Sequence, residues 1–157
     1  MSGSFHDRMP EARELWETID RLFELHRYKR ELSATWFATE GMKLLSFDPT
    51  DNRPVYWGCH LALREIARAK FRGHWDPVEV IRQAIEDDLF PETLQERYPL
   101  RAKKGEERVY VLLEHLPDAD LAYNVERLRR TGRAYLKHSD ALEAWGKQRV
   151  RRPEPVA

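Results

Sequence analysis

The sequence predicts an all-α fold: one compact domain of about six helices, with room for one small β-hairpin. Three observations lead there. The length, 157 residues, suits a single domain with a sizeable core. Apolar residues recur at steps of three and four through most of the chain, the period of a helix face. Proline and aspartate punctuate the chain at positions suited to helix starts.

The first ten residues include Ser, Gly and Pro and predict a flexible arm over 1–10. Pro10, Glu11 and Glu14 favour a helix N-terminus, and Leu15, Ile19, Leu22, Phe23 and His26 follow at helical spacing, predicting a helix over 11–31. Residues 33–47 read two ways. Leu32, Trp36 and Phe37 extend helical packing, whereas 34–39 and 42–47 form two short strands if Glu40-Gly41 is a turn. Helix is the preferred reading. Residues 48–54 are turn formers, and Pro54 opens a helix to about Gly73 that buries Cys59, Ala62, Leu63, Ile66 and Ala69. Asp76, Pro77 and Glu79 form a cap, a first helical residue and a supporting acid for the next helix, with Val78, Ile81, Ala84, Ile85 and Leu89 inward.

Pro91 is expected to start a short helix ending before Pro99, and 100–105 is a basic loop. Residues 106–116 are again ambiguous: Val109, Leu112, Leu113 and Leu116 fit a helix, while Val109, Val111 and Leu113 alternate as in a strand. The preceding glutamates and the length favour helix. Asp118 caps a helix with Leu121, Val125 and Leu128 inward; Gly132 ends it or sits inside it at a cost of about 1 kcal/mol. A last helix starts near Asp140 and buries Leu142 and Trp145. The domain therefore spans 11–148, with 149–157 a flexible basic, proline-containing tail.

Composition excludes several classes. Charged residues make up 34% at zero net charge, and there are five Trp, six Tyr and six Phe, against the aromatic-poor, highly charged signature of disorder. No apolar run approaches the roughly 18 residues of a membrane span. The lone Cys59 excludes an internal disulfide, and the polar first ten residues lack the apolar segment of a secretory signal, so a cytoplasmic location is expected.

Zero net charge hides an asymmetry. Residues 1–96 carry 13 basic and 18 acidic side chains, and residues 97–157 carry 14 and 9. Within 127–152 there are nine basic residues and two acidic, while 76–96 holds seven acids against the single Arg82. Charge runs of this kind are most often solvated helix faces. The functional expectation is a non-enzymatic accessory or regulatory protein that binds nucleic acid or a nucleoprotein complex. Its candidate contacts are Arg64, Arg68 and Arg72, which continue a four-residue stripe from His60, and Arg129, Arg133, Lys137, Lys147, Arg149, Arg151 and Arg152. The alternative is a helical adaptor or homo-oligomer in which the acidic 76–96 segment meets the basic C-terminal one in trans.

Adjacent Trp36 and Phe37 diverge by about 100° on a helix, so one of them is a candidate protein contact. Catalytic signals are weak. No two of the six histidines sit three or four apart, and no phosphate-cradling glycine loop occurs. Cys59 lies on an apolar face beside a misdirected His60 and reads as a small core residue. The acids Glu86, Asp87 and Asp88 suit a divalent cation, but a compensating arginine is the preferred account. No enzyme activity, cofactor, metal or membrane contact is expected.

Overall fold

The computed structural model describes residues 9–50, 52–87 and 94–150, with their side chains except at 85, 146 and 148–150. Among these residues the chain forms five α-helices and one small antiparallel sheet, so the helical expectation holds but a pure six-helix bundle does not. The helices are α1 (Ala12–Leu25), α2 (Ala34–Leu44), α3 (Arg53–Trp75), α4 (Pro77–Glu86) and α5 (Asp118–Val150). The strands are β1 (Glu31–Ser33), β2 (Arg97–Pro99) and β3 (Val109–Leu112), in the order β1-β3-β2. The outer parts of the predicted arm and tail and the first three residues of the short helix expected from Pro91, 91–93, lie outside the described residues; over 94–98 that helix is corrected, because the chain there is irregular and then enters β2.

Helix α1 begins as its acids and Pro10 suggest and buries Leu15, Thr18, Ile19 and Leu22. It stops at Leu25, six residues short of the expected end, because the chain beyond is held from elsewhere. Arg97 is fully buried, and its guanidinium donates to the carbonyls of Arg27 (2.7 Å), Lys29 and Arg30 (3.4 Å) while lying 5.0 Å from the Trp75 ring centroid. Carbonyls turned toward a buried cation cannot continue a helical ladder. β1 follows, and Ser33 then caps α2 by accepting from the Trp36 N–H at 3.2 Å. The preferred helical reading of 33–47 is thus right over Ala34–Leu44. Gly41 is not a turn: a Cβ there would lie 3.0 Å from Leu63 Cδ1, and its absence lets α2 seat closely on α3.

Asn52 caps α3, which runs past Gly73 to Trp75. Its inner face is Tyr56, Cys59, His60, Leu63, Ala67, Phe71 and Trp75, so the stripe is rotated from the expected one and Ala69 is exposed. The core is aromatic at its centre. Phe23, Phe37, Phe71, Trp75 and Tyr110 meet at centroid distances of 4.7 to 5.4 Å across four elements.

The helix expected over 106–116 is corrected to β3 followed by a 3-10 turn, Leu113–His115. β3 is the central strand: Leu32 pairs with Tyr110 on one side and Tyr98 with Val111 on the other. Burial from both faces of the sheet gives Tyr110, Val111 and Leu112 in sequence, and the turn adds Leu113 and Leu116, so the row imitates a helical period. The two helices expected after Pro117 are one continuous α5. Gly132 lies inside it, exposed, with nothing within 4 Å of the place a Cβ would occupy.

Candidate functional site

The charged centre of the molecule is Asp76, at the junction of α3 and α4. Its Oδ1 accepts from the Val78 N–H at 3.1 Å, which is the capping role its sequence position implies. Its Oδ2 accepts from Arg108 at 2.7 Å and from Arg127 at 3.0 Å. The carboxylate is nearly buried and both arginines are partly exposed, so one anion anchors the approach to β3 and the first half of α5. Two further bonds seat α5: Asn124 donates to the Pro99 carbonyl at 2.9 Å, and Asp120 accepts from the Arg101 N–H at 2.6 Å.

An arginine-lined cavity opens on each side of this centre. One, of about 290 Å³, lies against α3 with Arg68, Arg72 and Arg108 on its wall and Phe71 and Tyr110 beneath. The other, of about 690 Å³, lies against α5 with Arg101, Arg127, Arg130 and Tyr123. Arg108 of the first and Arg127 of the second meet on the same Asp76 oxygen. The glutamates nearby are engaged. Glu107 accepts from the Thr35 N–H and Oγ1 at 2.9 and 2.7 Å, Glu106 from the Lys103 N–H, and Glu126 from Arg133. Among the described residues, Arg72, Arg101, Lys103, Lys104 and Arg130 form no ion pair.

The candidate contacts divide accordingly. Arg68 and Arg72 line the first cavity, and Arg68 also pairs with Glu65 at 2.6 Å. Arg64 is partly buried, with its Nε enclosed and lacking a hydrogen-bond partner among the described residues. His60, which begins the stripe, turns into the core, 3.5 Å from the Thr39 hydroxyl, and burial together with Arg64 lowers its pKa. Arg129 and Lys137 are exposed without an ion pair among the described residues, Arg133 pairs with Glu126, and Lys147 pairs with Glu143. The side chains of Arg149, Arg151 and Arg152 lie outside the described residues. Sequence reasoning missed Arg101, Arg108, Arg127 and Arg130 as a group. The basic loop and the basic 127–152 segment each held part of it, but 101 and 127 are brought together only by folding.

Trp36 is partly exposed, capped by Lys29 at 4.0 Å from its ring centroid and edged by His26 at 4.8 Å, whereas Phe37 is 0% exposed and belongs to the core. Cys59 is fully buried, and burial pushes its thiol up to about 11, so no thiolate stands ready there. No group of three or more His, Cys, Asp or Glu side chains that could hold a metal occurs among the described residues. Arg82 takes both Glu79 and Glu86, so an arginine compensates one acid of the helix end; Asp87 forms no ion pair among the described residues, and Asp88 lies outside them. No described helix is long and apolar enough to cross a membrane. No family model, curated protein or solved structure matches this chain.

Proposed function

We propose that the protein is a non-enzymatic accessory binding protein that engages nucleic acid, free or within a nucleoprotein complex. The observation that carries this reading is the pair of arginine-lined cavities whose Arg108 and Arg127 share the Asp76 carboxylate. Phosphates spaced along one strand are the ligand chemistry that two neighbouring cationic sites suit, and the planar guanidinium fork matches a phosphate in two-point contact. Tyr123, partly exposed beside the second cavity, provides aromatic surface for a base, whereas Tyr110 is buried beneath the first. Asp76 holds Arg108 and Arg127 in place, which lowers the entropy lost when a phosphate meets them.

Fluorescence anisotropy with labelled single-stranded and duplex oligonucleotides across a salt series tests the proposal. Binding should weaken linearly in log–log form as salt rises. Replacing Arg72, Arg101 and Arg130 by alanine should reduce the magnitude of the slope by about two to three, since each phosphate contact contributes roughly 0.7 to 0.9. Binding that ignores salt, or a triple variant with unchanged affinity, overturns the reading.

A further inference from the structure

We infer that the exposed face of α5 is the surface on which a second copy of this chain docks, antiparallel and centred near Lys137. Every described side chain of 132–145 is exposed, including Leu136 at 68%, Leu142 at 56% and Trp145 at 58%. The body meets α5 through Asp120, Asn124 and Arg127 and along α4. On an adjoining face Leu121, Val125, Leu128, Gly132, Tyr135, Ser139 and Leu142 alternate at steps of four and three, the seam of a two-helix coiled coil. Leu121, Val125, Tyr135 and Leu142 of this seam are more than a third exposed, and among the described residues α4 approaches it only on the side of Tyr135, toward Arg82.

The occupant follows from size and charge. The seam alternates large residues with small ones: Leu128, Tyr135 and Leu142 against Gly132, Ser139 and, seven further on, Gly146. Laid parallel and in register, glycine faces glycine and serine faces serine, which leaves voids. Laid antiparallel about position 137, Gly132 faces the partner's Leu142 and Ser139 faces the partner's Tyr135. Each large side chain then enters a gap on the other helix. In the same register Arg129, which has no ion pair among the described residues, flanks the partner's Glu143, and the pairing repeats by symmetry. Leu136 meets its own copy on the axis. The overlap over 125–149 spans about 37 Å of helix. A helix that fits itself at the level of both volume and charge specifies a copy of this chain as partner.

The test is sedimentation of the full chain, free of nucleic acid, from low to high micromolar concentration. A monomer–dimer equilibrium is expected. Arg129→Glu and Glu143→Arg should each weaken it about tenfold or more, and the double variant R129E/E143R should restore it. A short bis-maleimide should couple an Arg129→Cys chain to a Glu143→Cys chain and neither chain to itself; the buried Cys59 does not compete. A monomer at every concentration, failure of the double swap with helicity intact by circular dichroism, or self-coupling of the single cysteine variants overturns the proposal. These measurements involve no nucleic acid and leave Arg72, Arg101 and Arg130 intact. Their failure is therefore separate from any failure of the cavity reading.

Discussion

The two halves of α5 belong to one helix and differ in almost everything else. Over 118–131 the helix is seated: Asp120, Asn124 and Arg127 tie it to the 101 loop, β2 and the α3–α4 junction. Over 132–145 every described side chain faces solvent. Helical hydrogen bonds are equally complete in both, so backbone regularity does not distinguish a supported segment from an unsupported one. What differs is burial. A large apolar side chain removed from water contributes about 1.5 to 3 kcal/mol, and Leu136 and Leu142 gain little of this within the monomer. Isolated helices of this length are marginal in water, so the distal half depends on the proximal half as its nucleus and, in the dimer we infer, on a partner.

The largest expected contrast lies between two leucines. Leu22→Ala, at a site 2% exposed, should cost about 2 to 5 kcal/mol in urea unfolding. Leu136→Ala should change the stability of dilute monomer by less than about 0.5 kcal/mol. Comparable losses at the two sites would show that the distal half packs on the body after all.

Asp76→Ala comes next. It removes the shared partner of Arg108 and Arg127 together with the cap on Val78, and should cost about 3 kcal/mol. Amide exchange should speed up first over 118–131. Unchanged protection there would mean that Asn124 and Asp120 alone seat the helix.

Gly132→Ala acts at the boundary of the two halves. Its Cβ meets nothing within 4 Å, so the substitution should raise helix stability by about 1 kcal/mol and slow exchange over the distal half. A loss of helicity instead would point to a break at Gly132.

The smallest effect is one of pH, and it belongs to the body alone. Burial first and Arg64 second lower the pKa of His60 below its ordinary 6.5. The unfolded chain therefore takes up this proton more readily than the folded one. The neutral imidazole costs nothing above 6.5, and stability falls as pH drops from 6.5 toward the lower folded value. His60→Gln should flatten that part of the stability–pH curve relative to the parent. An unchanged curve would show that carboxylates dominate the interval.

Sequence chemistry was sufficient wherever the determining partner was near in the chain. The starts of α1, α3, α4 and α5 were legible because prolines, acids and caps act within one helical turn of their targets. The excess of basic residues after position 97 was legible as well, being a matter of counting. Three features were decided only by tertiary structure. β3 is a strand because segments near 32 and 98 flank it, although its own residues fit a helix as well. α1 ends at Leu25 because Arg97 draws off the carbonyls of 27, 29 and 30 from some 70 residues away. The arginine cavities likewise exist because Asp76 gathers Arg108 and Arg127 from separate elements. Periodicity and capping describe a helix against water, whereas pairing across a sheet and the satisfaction of a buried charge depend on which distant segments the fold brings into contact.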